Sequence, residues 1–216
     1  MFITFEGTEG TGKSTQLEIL AESLQQDGYK LFVTREPGGT AIGDQVRAIL
    51  SDMQNTAMLP RTEFLLFQSS RAQLVEEELR PRLARGELIL CDRYADSTVA
   101  YQGYGYQQLN LEQVRSIVHF ATGGLKPDLT ILLDIDVELG LQRKRQAGGE
   151  WNRLDDYEVA FYQRVRRAYL EMARLEPERW VVIDATPSFE AVQAAIRDIV
   201  LERLRRARVV DRQQPA

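Results

Sequence analysis

Short, nearly uninterrupted apolar runs alternate along the chain with longer stretches in which apolar residues recur every third or fourth position. Five runs have strand length: Phe2–Phe5, Leu31–Thr34, Leu88–Cys91, Leu129–Leu133 and Trp180–Ile183. Their continuity predicts strands buried on both faces, as in a parallel sheet covered by helices on each side. Helical spacing fills the gaps. It predicts helices over Lys13–Gln26, Ile42–Ser51, Arg61–Arg85, Leu111–Thr122, Val137–Gln146 and Ser188–Arg208, with a kink or early end at Pro81. The longest stripe, Leu154, Tyr157, Phe161, Val165, Ala168, Met172 and Leu175, predicts a helix of about six turns. The pattern therefore reads as one α/β domain over 1–216, a five-stranded parallel sheet flanked by helices. Gln146–Asn152, with Gly148 and Gly149 amid charges, is the candidate mobile loop.

Each strand closes on polar residues: Glu6, Arg35-Glu36, Asp92-Arg93, Asp134 to Asp136, and Asp184. Ligands of open parallel sheets bind beyond the carboxyl ends of the strands, so these groups mark one functional rim.

Composition narrows the classes. The 216 residues are 44% hydrophobic and 27% charged, an ordinary globular balance. Net charge is −5, which argues against nucleic-acid binding through charge alone. No apolar run approaches the roughly 18 residues of a membrane span, and acidic Glu6 interrupts the N-terminus before any secretory pattern develops. A cytoplasmic protein without a membrane partner is expected. One cysteine, Cys91, and one histidine, His119, exclude an internal disulfide framework, a multi-cysteine zinc site and common histidine-based chemistry.

Gly7-Thr8-Glu9-Gly10-Thr11-Gly12-Lys13-Ser14 matches the G-x-x-x-x-G-K-[ST] phosphate loop and lies between a predicted strand and helix, the context that supports it. Its backbone N–H groups and the helix N-terminus suit a polyphosphate. Lys13 is expected to reach the β- and γ-phosphates, and Ser14, followed by Thr15, to hold Mg²⁺. A phosphate loop alone does not separate a kinase from a motor ATPase or a GTPase switch. Asp134-Ile135-Asp136 stands where a guanine-reading motif would follow the fourth strand. Leu88 to Asp92 is the nearest match to a motor's metal strand, yet Arg93 follows at once, which suits a second bound anion.

Four further clusters carry candidate chemistry. Phe64, Phe67, Arg71 and Leu74 share a helix face, so a guanidinium projects from an apolar stripe and needs a partner. A planar base stacked on Phe67, with a carbonyl accepting from Arg71, fits that need. Asp92 to Gln102 packs charges, hydroxyls, aromatics and an amide after a central strand, with Asp96 or Ser97 as a candidate helix cap, and Thr34 to Thr40 follows the second strand. Arg143, Lys144, Arg145 and Arg153 flank the glycine-bearing loop, where cations would close over phosphates.

Taken together, Phe5-Glu6-Gly7 with an acid inside the phosphate loop, Thr34-Arg-Glu-Pro-Gly-Gly-Thr40, and Asp92-Arg-Tyr-x-x-Ser-x-x-Ala-Tyr-Gln102 resemble the thymidylate kinases, nucleoside monophosphate kinases of phosphate-loop fold. The resemblance implies ATP- and Mg²⁺-dependent conversion of dTMP to dTDP, for dTTP synthesis, by a homodimer. It implies that Gly7 to Thr15, Arg143, Ala185 and Thr186 bind ATP. Glu9 would bond the deoxyribose 3′-hydroxyl, and Arg93 the acceptor phosphate, with Arg35 and Arg47 as weaker phosphate-side candidates. Glu36 and Asp92 would sit near Mg²⁺ with Ser14. Phe67 would stack on thymine, Arg71 would donate to its O4, and Ser97 and Thr98 would lie on its N3 side. Tyr101 would pack against the sugar, with Gln102 beside it. Gly10, not Arg, follows Glu9, so the catalytic arginines beside Lys13 and Arg93 would come from a lid at 142–154: Arg143, Arg145 and Arg153. Ala147 departs from the basic character of related lids.

Overall fold

The computed structural model describes residues 1–148 and 157–211, without the side chains of 208–211. Five strands, β1 (Phe2–Glu6), β2 (Leu31–Arg35), β3 (Leu88–Asp92), β4 (Leu129–Asp134) and β5 (Trp180–Asp184), form one sheet. All neighbours run parallel, in the order β2-β3-β1-β4-β5. Each strand is one of the five sequence runs carried one residue further, onto its first polar residue. The central strand β1 is buried throughout, as continuous apolarity requires.

Helices α1 (Lys13–Gln26), α2 (Ala41–Ser51), α3 (Pro60–Leu74), α4 (Arg80–Ala84), α5 (Ala95–Thr98), α6 (Leu111–Thr122), α7 (Val137–Gln146), α8 (Val159–Leu175) and α9 (Phe189–Asp211) are described. One core cluster joins α1 and α9 to β1, β4 and β5 through Ile3, Phe5, Leu20, Ile131, Ile183 and Ile196. On the opposite face α8 packs Phe161, Tyr162, Val165 and Tyr169 around Leu132 and Trp180. The sheet is thereby covered on both sides.

Three local expectations change. The predicted Arg61–Arg85 helix neither ends nor breaks at Pro81; a π-helical turn, Val75–Leu79, precedes it and α4 resumes with Pro81 in its first turn. A proline that cannot donate belongs in such a first turn. The long amphipathic helix begins at Val159, because Glu158 is extended; Tyr157 lies outside and stacks on Phe161 with ring centroids 4.2 Å apart. Neither Asp96 nor Ser97 caps α5, whose N-cap is Tyr94; Asp96 instead pairs with Arg179 at 2.5 Å and Ser97 donates to Glu6 at the same distance. Of the expected lid, 142–148 closes α7, while Leu154, Arg153 and the rest of the glycine-bearing loop lie outside the described residues.

Candidate active site

The carboxyl ends of β1, β2 and β3 open onto a cavity of about 300 Å³. Glu9, Lys13, Ser14, Arg35, Glu36, Arg47, Phe67, Arg71, Asp92, Arg93, Ser97, Thr98, Tyr101 and Gln102 all line it, so most of the residues singled out from four distant segments share one site.

The phosphate loop bends from β1 into α1, with Gly12 at the N-cap in the left-handed region. Gly10 is also left-handed, at φ +70°, and a Cβ there would lie 1.8 Å from the Gly140 carbonyl of α7. The contact is reciprocal: a Cβ on Gly140 would lie 2.4 Å from the Glu9 carbonyl. Gly140 is a functional position that no sequence motif announced. Gly140→Ala is expected to push the loop off α7, raising KM for the nucleotide about tenfold and costing about 1–3 kcal/mol of stability. Steady-state kinetics and thermal unfolding check this.

Lys13 folds back onto its own loop, donating to the Thr8 carbonyl at 2.7 Å and to Thr11 Oγ1 at 3.3 Å. Burial, together with the Arg93 cation, lowers its pKa to about 8. Ser14 donates to an Asp92 carboxylate oxygen. Thr15 is exposed on the next position of α1.

Arg93 organises the centre. Its φ of 68° is unusual for a non-glycine residue, and its N–H donates to the Phe5 carbonyl at 2.9 Å. The guanidinium donates to the Gly7 carbonyl at 2.9 Å and to Glu9 at 2.6 Å. Glu9 also accepts from Tyr101 Oη at 3.1 Å and Lys144 Nζ at 3.3 Å. Burial opposes ionisation of Glu9, but the Arg93, Lys13 and Lys144 cations outweigh it and hold the pKa at about 2. Lys144, named from the sequence only within the run of cations flanking the glycine-bearing loop, is thus the α7 cation that reaches this carboxylate.

The stripe arginine has its partner within the chain. Arg71 is 1% exposed, and Nε and Nη2 both donate to Glu36 Oε2, at 2.8 and 2.5 Å. Nη1 donates to Gln68 Oε1 at 3.0 Å and Thr98 Oγ1 at 2.9 Å, and Nη2 to the Tyr94 carbonyl at 3.1 Å. Burial works against the charge, but Glu36 beside it keeps Arg71 protonated. Glu36 supplies the neutralisation that sequence reasoning assigned to a bound base. Phe67, half-buried on the same helix, lines the cavity.

Ser97 is placed differently from its expected N3-side position. Its hydroxyl faces Arg93, Glu6 and Tyr169, at the end of the cavity beside the phosphate loop, because α5 turns it toward β1. Thr98 and Gln102 stay at the other end with Arg71. Gln102 Nε2 donates to Glu63 at 3.0 Å, and Tyr106 and Tyr157 donate to the same carboxylate at 2.8 and 3.2 Å. Glu63, Tyr106 and Tyr157 close that end, and they were missed because nothing in their spacing joins residues so far apart.

The remaining cations separate. Arg47 donates to the Pro37 carbonyl at 3.0 Å and lines the cavity, while Arg35 lies 3.7 Å from exposed Asp44. Arg143 turns to the loop after β5, donating to the Ala185 carbonyl at 2.7 Å and that of Thr186 at 3.3 Å. This joins Arg143 to Ala185 and Thr186, the residues expected on the adenine side. Arg145 is exposed on the last turn of α7.

Asp92 Oδ1 and Glu36 Oε1 are buried and have no hydrogen-bond partner among the described residues. With the Ser14 hydroxyl they form a hard-oxygen set suited to Mg²⁺ and its waters. Among the described residues no group of three or more His, Cys, Asp or Glu forms a self-sufficient metal cluster. No helix among the described residues is long and apolar enough to cross a membrane.

Comparison with known proteins places this geometry in a family. The family model described as thymidylate kinase matches residues 5–196. Thymidylate kinase of Roseiflexus sp. (strain RS-1) is 51% identical over 211 residues, covering 93% of each chain. That of Herpetosiphon aurantiacus is 52% identical, covering 86% of this chain and 88% of its own. The crystal structure of thymidylate kinase from Ehrlichia chaffeensis superposes with a TM-score of 0.74 at 30% identity, covering 93% of this chain and 98% of the other. The phosphate loop, the arginine-centred cleft and the five-stranded sheet thus have one common source: the chain belongs to the thymidylate kinase family, as a phosphotransferase of the nucleoside monophosphate kinase class.

Proposed function

We propose that this chain transfers the γ-phosphoryl group of ATP, bound with Mg²⁺, to the phosphate of dTMP, giving dTDP on the way to dTTP. The observation that carries the reading is the Arg93–Glu9 pair, set between the phosphate loop and a cleft that ends in Phe67 and Arg71. An arginine ringed by acceptors it can exchange for a phosphate suits a phosphorylated acceptor better than water.

The chain's own groups do the following. Lys13 leaves the Thr8 carbonyl for the donor phosphates. Arg93 binds the acceptor phosphate, with Arg47 and Arg35 on its outer side. A phosphate monoester is anionic at neutral pH, so its oxygen attacks in line without a general base, and positioning plus cations lowers the barrier. Mg²⁺, when bound with ATP near Ser14, Asp92 and Glu36, neutralises charge on the phosphate oxygens. Lys144 and the lid arginine Arg145 approach from the α7 side, Arg153, outside the described residues, is assigned with them by the family resemblance, and Arg143, Ala185 and Thr186 border the adenine. Glu9 takes the 3′-hydroxyl and Tyr101 crowds the position of a ribose 2′-hydroxyl. Thymine stacks on Phe67, with Arg71 turning an N–H from Gln68 or Thr98 to O4. We read 1–216 as one catalytic unit, cytoplasmic and homodimeric; the exposed apolar side chains Ile49, Leu65 and Phe120 on α2, α3 and α6 support a dimer.

Specificity tests the acceptor end. A methyl-sized difference is worth about 1–3 kcal/mol, so dUMP is expected as a weak second substrate, below dTMP by roughly 10–200-fold in kcat/KM. A cytosine amino group would meet Arg71 donor to donor, so dCMP falls lower still. ADP release measured with dTMP, dUMP, dCMP and thymidine in parallel checks this order. Preference for thymidine would overturn the acceptor assignment.

A further inference from the structure

Glu6 is a buried carboxyl that the phosphoryl-transfer reading leaves without a task. It closes β1 at 0% exposure. Oε1 accepts from the Tyr94 N–H at 2.9 Å, while Oε2 lies 2.5 Å from Ser97 Oγ and 2.8 Å from Tyr169 Oη. Those two hydroxyl oxygens are themselves 2.8 Å apart. The three oxygens therefore form a triangle in which every edge has hydrogen-bond length.

Each edge needs a proton, and each hydroxyl carries only one. Two hydroxyls thus serve two edges. Arg93 Nη1 does not supply the third, because it approaches Ser97 Oγ and Tyr169 Oη from outside the triangle, at 3.3 and 3.4 Å, and each accepts from it. The proton that completes the ring belongs on the carboxyl. We infer that Glu6 is a positioning residue that holds a proton when the acceptor is bound, closing a three-oxygen ring that seats Arg93 and leaves its charge to the acceptor phosphate.

The surroundings agree. Arg93, Asp96 of α5, Tyr169 of α8 and Lys13 face this carboxyl, and its charge also reaches Arg71 of α3 and Cys91 of β3. Asp96 is paired with Arg179 through both carboxylate oxygens. Burial first, and then the Asp96 charge, raise the Glu6 pKa to about 7, against the opposing pull of Ser97, Arg93 and Tyr169. When Glu6 ionises, both hydroxyls turn their protons to it and the Ser97–Tyr169 edge sets lone pair against lone pair. A second carboxylate then joins Glu9 in competing with phosphate for Arg93. Binding of the acceptor is thereby linked to proton uptake.

The inference rests on the acceptor assignment made above, and the test separates the two. Glu6→Gln keeps a donor on the ring and never ionises. With ATP saturating, kcat/KM for dTMP is measured for both proteins from pH 6 to pH 8. A group of pKa about 7 leaves about one molecule in ten protonated at pH 8, so the wild-type to variant ratio is expected to fall about tenfold. The ratio of kcat values stays level, because bound phosphate retains the proton. Titration of dTMP itself affects both proteins alike and cancels. Activity on dTMP with a flat kcat/KM ratio overturns the role of Glu6 alone, whereas no activity on dTMP at pH 6 removes the acceptor assignment and this inference with it. Should the variant fail to fold, the wild type decides. With Mg·ADP already bound to hold Lys13 protonated, dTMP titrated at pH 8 in two buffers of different ionisation enthalpy should take up about 0.9 proton per site. Uptake near zero overturns the inference.

Discussion

Arg93→Ala is expected to lower kcat/KM for the acceptor on the order of 10³-fold while the protein remains folded. An arginine on a transferring phosphoryl group contributes on this scale, and Arg93 is the half-buried cation that touches both the phosphate loop, through Gly7, and Glu9. The backbone should tolerate the change. Alanine pays the same left-handed penalty that arginine already pays at φ 68°, and the N–H bond to Phe5 is retained. Glu9 keeps Lys144 and Tyr101 as partners. Kinetics alongside a thermal melt separates the cases: near-normal turnover removes the role, and loss of the folded transition makes Arg93 structural.

The second large effect is on stability. Arg71→Leu strands Glu36 as a buried carboxylate, since the Arg71 guanidinium is its one side-chain partner among the described residues and both side chains are nearly inaccessible. Breaking such a pair from one side costs about 3–5 kcal/mol. For a chain of this size each kcal/mol moves Tm by about 2–4 °C, so a fall of roughly 6–20 °C is expected. The double variant Arg71→Leu with Glu36→Gln should recover part of the loss, because no uncompensated charge remains. A double-mutant cycle by thermal unfolding checks this; strictly additive losses would contradict the pairing.

The fold was legible where one physical signal sufficed. Continuous apolar runs marked all five strands because both faces of a parallel sheet are buried, and the glycine spacing around Lys13 marked the phosphate loop. Strand order was not readable, since no local pattern says that β3 lies between β2 and β1. The cleft was legible as a set of rim residues, but not as a set of pairs. Arg71 advertised the need for a partner, yet Glu36 stands 35 positions away and only the packing of α3 against the turn after β2 brings the two together. Ser97 and Thr98 are adjacent in sequence and serve opposite ends of the cleft, because successive helical residues point about 100° apart. Lys144 was hidden among neighbouring arginines, because which of them reaches Glu9 depends on how α7 packs against the phosphate loop. Gly140 gave no signal at all, since its value is the absence of a side chain opposite another glycine.

The central claim, transfer to a nucleotide phosphate rather than to water, is tested most directly by following the label from ATP carrying ³²P at the γ-position. With dTMP and Mg²⁺ present, the label is expected to move to the β-phosphate of dTDP, with little inorganic phosphate and no turnover when dTMP is omitted. Label released mainly as inorganic phosphate, at a rate indifferent to dTMP, would contradict the account and make the chain a nucleotide hydrolase built on the same fold.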